Sequence, residues 1–379
     1  MTPTDANPSA AISSMLAERI EAGDFPSAIY MVAEAGCVRF ADALGDAVRE
    51  PFVRRATLGT VYDLASLTKP LVTGMLLALL VERGAVGLDA PVSAYLDEFN
   101  VDDKRAVTVR HLLTHTSGLP AWQPLYLSTG GDPDRVLATI AAQPLEQPPG
   151  TRVVYSDLGF ITLGLLAERV TDTHLADLAR REIFDPLGLR HTCFNPAQTI
   201  QTEVAASESG GNGYERSMCE TKAGAGAAPW RERTIWGEVH DGNAYFLGGA
   251  AGHAGLFSDA RETLRLASQF LPRTTEVLKP ETCRLFQTNM TEGLNEARSF
   301  AWQLAATPES TAGPRLPPRA FGHLGFTGTS CWLDPTTERI LILLTNRTHA
   351  RQLPFVNING VRRRFHSLAV EALESHEDG

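Results

Sequence analysis

Lysine is scarce in this sequence. Of 34 basic residues only four are lysine (Lys69, Lys104, Lys222 and Lys279), so 30 are arginine. No long Lys/Arg-rich run stands out either, and the net charge is −10 at pH 7. A surface of that sign has no electrostatic footprint for nucleic acid or an anionic bilayer, so neither is expected as a partner. Cysteine is sparse and unpaired. Cys37, Cys193, Cys219, Cys283 and Cys331 are odd in number, widely spread and free of any CxxC pair, which favours reduced, buried thiols over a disulfide framework. The opening segment, MTPTDANPSAAISSML, has no basic stretch leading into an apolar one, so no signal peptide is read. The longest apolar run, 71–81, is short for a bilayer span. These features point to a cytoplasmic location. No repeat of 20–50 residues is visible.

What is present is an ordinary globular composition. The chain has 379 residues, 43% hydrophobic and 21% charged, enough for a large core and for two domains. Residues 9–23 carry Ile12, Leu16 and Ile20 at helical spacing. SAIYMVAE and CVRFADAL, separated by Ala35-Gly36, read as a β-hairpin. RAFGHLG, TSCWLDP and RILILLTN form a second β-rich cluster near the other end. The expected architecture is α+β, an antiparallel sheet flanked by helices with a mostly helical inserted domain. Its boundaries are read as 1–95 and 240–379 for the discontinuous sheet domain and 96–239 for the insertion. A long glycine-rich stretch at 207–243 is expected to act on substrate shape.

The scarcity of lysine sharpens one motif, DLASLTKPLVTG at 63–74. Ser66 and Lys69 stand at i and i+3, so on a helix their side chains are neighbours. A serine hydroxyl is a poor nucleophile until a base takes its proton, and lysine can be that base only if its own proton is labile. Arginine could not serve. None of the other three lysines has a serine three residues before it. The bland alternative is a helix-capping serine and a lysine reaching solvent.

Two further segments carry matching chemistry. In YSDLGF, 155–160, Tyr155 and Asp157 precede an apolar helical pattern, where Tyr155 could relay a proton and Asp157 could simply cap the helix. In GHLGFTGTS, 322–330, three glycines suggest an edge strand that something approaches closely, with exposed N–H groups fit for an oxyanion hole. Other candidates are weaker. His111 and His115 have the i, i+4 spacing of a metal pair, but HExxH is absent and no third ligand follows, so no metal is expected. His240, Asp241 and His253 could line a cleft, although a structural turn at Gly248–Gly255 is the commoner reading of such a context; if one of them touches substrate it is expected to be His253. Asn346-Arg347 could bind a carboxylate or merely end a buried strand.

The ordered set SLTK, VTVRHLLTHTSGLP, YSDLGF, IFDPLGLRHT, GGAAGHAGLFS and GHLGFTGTS resembles the serine β-lactamase and penicillin-binding-protein superfamily, especially its class C and family VIII carboxylesterase branch. The resemblance runs through most of the chain and implies the β-lactamase/transpeptidase-like fold. It implies that Ser66 is acylated, that Lys69 and Tyr155 share base and acid roles, and that the N–H groups of Ser66 and Phe326 form the oxyanion hole. Asp157, His323 and Gly325 would meet the substrate, and no cofactor is called for. Two departures matter. His323-Leu324-Gly325 stands where Lys-Thr-Gly is usual, which removes the ammonium and hydroxyl that bind a substrate carboxylate. Asp157 stands where Asn is usual, and an ionised Asp there would favour a charged Lys69. The expected partner is therefore a small ester or amide substrate. β-Lactamase, D-Ala-D-Ala carboxypeptidase or muropeptide amidase activity is the alternative, and a non-catalytic binding protein on the same scaffold is the reading from another class.

Overall fold

The computed structural model describes residues 9–220 and 230–377. Among them ten strands are formed: β1 (Ser27–Glu34), β2 (Cys37–Val48), β3 (Arg54–Arg55), β4 (Tyr62–Asp63), β5 (Cys193–Phe194), β6 (Leu256–Ser258), β7 (Gln303–Leu304), β8 (Phe321–Leu324), β9 (Ser330–Asp334) and β10 (Arg339–Thr345). Seven make one sheet in the order β3-β2-β1-β10-β9-β8-β7, and every neighbouring pair is antiparallel. The expected hairpin is β1–β2, turning where Ala35 and Gly36 both have positive φ, 48° and 78°. The expected C-terminal cluster is β8, β9 and β10.

The centre of the sheet is the β1–β10 pair, which sets Ala28 against Thr345. Both strands are buried on both faces, which is why RILILLT is a continuous apolar run and not an alternating one. Tyr30, Val32, Leu341 and Leu343 face one core, shared with α1 (Ala10–Glu21) and the carboxy-terminal helix α5 (Asn359–Glu377). Ile29, Met31, Ile340 and Ile342 face the larger core, where α2 (Met75–Glu82), α3 (Asp157–Thr171) and α4 (Ala260–Ala267) pack. The architecture is thus the expected α+β arrangement, an antiparallel sheet with helices on both faces.

The run Ala65–Glu82 is long and apolar enough to cross a membrane by length and composition alone, but 83% of it is buried inside the protein. Its hydrophobicity serves the core. Three of the five free cysteines, Cys219, Cys283 and Cys331, are buried as expected, whereas Cys37, the first residue of β2 beside the hairpin turn, is exposed.

Candidate active site

Ser66 follows β4 at a strained corner. Ala65 has φ 47°, a left-handed value unusual for a residue with a Cβ, and its N–H is held by Asp63 Oδ1 at 2.8 Å. Thr68 Oγ1 in turn donates to the Ala65 carbonyl at 2.6 Å and accepts from the Leu256 N–H at 3.1 Å. The corner is therefore fixed by side chains on both sides of it. From Lys69 to Gly74 the helix is widened to i→i+5 bonding before α2 begins, a local form often found at functional sites.

Lys69 is fully buried, and its ammonium has two hydrogen-bond acceptors and one ionic partner. Nζ donates to Ser66 Oγ at 2.9 Å and to the His253 carbonyl at 3.1 Å, and it pairs with Asp157 Oδ1 at 2.7 Å. It also lies 4.9 Å from the centroid of the Tyr155 ring, and Tyr155 lines the same cavity as Ser66. Burial is the largest influence on Lys69 and pulls its pKa down, but Asp157 and Tyr155 together outweigh it, so the ammonium is held above its ordinary value. Burial pushes the Tyr155 phenol up, against the nearby Lys69 charge. Both groups are therefore protonated at rest.

Asp157 is free to pair because it does not cap the helix. The cap of α3 is Ser156, whose Oγ accepts from the Gly159 N–H at 3.2 Å, and Asp157 is the first helical residue. Tyr155 is held between two imidazoles, with ring centroids 4.6 Å from His115 and 5.8 Å from His323. His115 accepts the Ser156 N–H on Nδ1 at 3.0 Å, and His323 Nδ1 bonds to the Leu324 carbonyl at 2.8 Å. Burial drives both rings well below the ordinary imidazole pKa, so both are neutral walls.

The β8–β9 connection closes the other side. Thr327 Oγ1 donates to the Asp63 carbonyl at 2.8 Å and Thr329 Oγ1 to the Leu64 carbonyl at 3.1 Å, so the turn after β8 is tied to the residues just before Ser66. Gly325 is required there: a Cβ would fall 2.5 Å from the Leu64 carbonyl oxygen and 2.0 Å from Thr329 Oγ1. β8 is not the edge strand expected from its glycines. The two-residue strand β7 covers Phe321 and Gly322, leaving His323 to Phe326 open on that side. Among the described residues, no acceptor is found for the backbone N–H of Ser66 or of Phe326.

Ser66, Tyr155, Asp157, His323, Gly325 and Phe326 all line one cavity of about 460 Å³. His253 is placed differently from the sequence expectation. Its ring is buried with Nε2 2.8 Å from Asp241 Oδ1, and it meets the site only through its carbonyl. Gly252 explains the close approach, since a Cβ there would lie 2.0 Å from the Phe160 carbonyl oxygen of α3. Asn346 is structural, bonded to Ser27, Ala47 and Ala206.

Several cavity residues escaped sequence reading. Tyr214, Glu215 and Met218 come from the short helix Gly213–Cys219 within the glycine-rich stretch, beside His240 and Asp241. Residues 221–229 of that stretch lie outside the described residues. Glu215 is buried, accepting from the Gly242 N–H at 2.7 Å and the Tyr126 hydroxyl at 3.1 Å. Burial, with the Asp241 charge, pushes its carboxyl up to about 7. Burial alone would raise Asp241 too, but His253 and the Ala244 N–H more than offset it, so Asp241 is held well below the carboxylate range. Arg298, Arg347 and Arg362 supply positive charge on the wall. The arrangement can polarise a serine hydroxyl, receive its proton and offer two N–H groups to an oxyanion.

Comparison with known proteins bears on this geometry. A family model described as Beta-lactamase matches residues 12–359. A protein of Escherichia coli (strain K12) named "Putative D-alanyl-D-alanine carboxypeptidase" is 32% identical over 317 residues, covering 78% of this chain and 71% of its own. Among solved structures, "EstCE1, a hydrolase with promiscuous acyltransferase activity" superposes with a TM-score of 0.72 at 23% identity, covering 97% of this chain and 98% of that one. A class C β-lactamase from Rhodobacter sphaeroides gives 0.70 at 21% identity, with 99% and 100% covered. At such identities the structures share the fold.

Proposed function

The chain belongs to the β-lactamase family, and from that premise we propose that it is a serine hydrolase forming an acyl-enzyme on Ser66 with small ester or amide substrates. The observation that carries this reading is the buried Lys69, hydrogen-bonded to Ser66 and set against the Tyr155 ring, with Ser66 and Tyr155 both opening on the cavity.

The chemistry follows from the hydrogen bonds. At rest Lys69 donates to Ser66 Oγ, which leaves the serine proton free to turn toward Tyr155 in the same cavity. The reactive form has first released one proton from the Tyr155–Lys69 pair to solvent, and as Oγ attacks the substrate carbonyl its proton passes into that vacated position. The carbonyl oxygen becomes an oxyanion facing the N–H groups of Ser66 and Phe326, and the pair then returns a proton to the leaving alcohol or amine. Water repeats the sequence to release the acid.

Ester or carboxylate-free amide substrates are favoured because His323 is neutral and Leu324 is apolar where a carboxylate would be held. A D-alanyl-D-alanine carboxypeptidase is the second reading. The names of the relatives favour it, as do the arginines on the cavity wall. Purified protein is assayed on p-nitrophenyl butyrate, nitrocefin and a D-Ala-D-Ala peptide, with mass spectrometry of Ser66. Ester turnover with an acyl adduct lost in Ser66→Ala supports the first reading. Peptide turnover without ester cleavage selects the second, and no adduct on any substrate sinks both in favour of a binding protein.

A further inference from the structure

Arg362, in the first turn of α5, is buried among main-chain carbonyls far along the sequence from Ser66. Its Nη2 donates to the Gly325 carbonyl at 2.7 Å and to the Thr329 carbonyl at 3.0 Å, while Nη1 donates to Asn359 Oδ1 at 2.9 Å. The Gly325 carbonyl also accepts the Gly328 N–H at 3.0 Å. That carbonyl belongs to the same peptide unit as the Phe326 N–H. The unit is trans, so its C=O and N–H point in opposite directions. Whatever grips the Gly325 oxygen from behind therefore aims the Phe326 N–H into the cavity. A flip of this one peptide would replace the donor with a carbonyl oxygen, which repels an oxyanion.

Glycine at 325 makes the grip necessary. With no Cβ, the residue has the conformational freedom to let that peptide rotate, and the close approach of Leu64 forbids any larger residue. A cation on the carbonyl also polarises the peptide, making its N–H a stronger donor. A second arginine fixes the next unit: Arg347 Nε donates to the Phe326 carbonyl at 2.6 Å.

We infer that Arg362 is a positioning residue for the oxyanion hole, holding and polarising the Gly325–Phe326 peptide without touching the reacting atoms. The inference rests on the Ser66 acyl-enzyme reading.

The test uses p-nitrophenyl butyrate, which carries no carboxylate that an arginine could anchor. Arg362→Met is expected to lower kcat by about 10- to 100-fold with KM little changed, because only the transition state draws fully on the donor. Added guanidinium should restore part of the loss. In the infrared spectrum of the Ser66 acyl-enzyme the ester carbonyl band should move to higher frequency in the variant, reporting a weaker hydrogen bond. Should Arg362→Met fail to fold, Arg362→Lys decides through the same band and kcat, since it keeps charge but not the forked geometry. Wild-type kcat, an unmoved band in Arg362→Lys, or a loss seen only in KM would each overturn the inference. Those outcomes with Ser66 still acylated by wild-type protein sink Arg362's role alone, whereas no acylation of wild-type Ser66 sinks the underlying reading.

Discussion

The fully buried Lys69 is ion-paired with the partly exposed Asp157, Nζ to Oδ1 at 2.7 Å, beside Ser66 Oγ. The carboxylate raises the pKa of Lys69, and it raises that of Tyr155 as well. Removing its charge makes either group easier to deprotonate. In Asp157→Asn the acidic limb of the kcat/KM profile is therefore expected to move to lower pH. A pH–rate profile on a p-nitrophenyl ester measures this, and an unchanged limb would exclude both groups as the titrating base.

Lys69→Arg separates charge from proton transfer. Arginine keeps the cation but cannot lose its proton. The substitution is expected to cost about 10³-fold in kcat, no less than Lys69→Met, if lysine moves a proton in the reaction. Activity near the wild-type level in Lys69→Arg would assign the proton to Tyr155 and leave Lys69 as a fixed charge.

Gly325→Ala places a methyl group against backbone that cannot move aside, 2.5 Å from the Leu64 oxygen. The expected cost is about 3 kcal/mol of stability and at least 100-fold in kcat, because Ser66 and Phe326 are pushed apart. Thermal unfolding and ester turnover together report it. Full activity would mean that the β8–β9 turn is not fixed against the Ser66 corner.

Glu215 should make stability depend on pH. Its folded-state pKa is raised to about 7, so the protonated form is favoured by folding. The stability it contributes is complete below its ordinary pKa of about 4.5 and is lost as pH rises through about 7. Relative to Glu215→Gln, wild-type protein should lose roughly 3 kcal/mol across that window and no more above it. Denaturant melts at pH 5, 6, 7 and 8 test the difference, and a constant gap would place the titration elsewhere.

The parts of the site legible in the sequence were those encoded by short-range geometry. Ser66 and Lys69 are neighbours because i and i+3 share a helix face, and lysine stands out against thirty arginines. Asp157 was visible as an acid at a helix start, but the cap is its neighbour Ser156, a distinction of one residue that composition does not resolve. His253 could be placed near the site but not oriented, since the direction of its ring depends on Asp241 and on how closely Gly252 meets α3. The glycines of 322–330 suggested an edge strand, and only the pairing with β7 shows how far the edge is covered. Glu215, Arg298 and Arg362 gave no local signal, because tertiary pairing alone brings them to the cavity.

The register that joins Ala28 to Thr345 has a consequence for synthesis. A nascent chain that has reached residue 320 already contains Ser66, Lys69, Tyr155 and Asp157, yet β1 still lacks its central partner and Phe326 has not been made. The contacts that complete the sheet span most of the sequence, and such non-local pairing is slow to form. On the proposed mechanism, activity therefore comes only with the last strands.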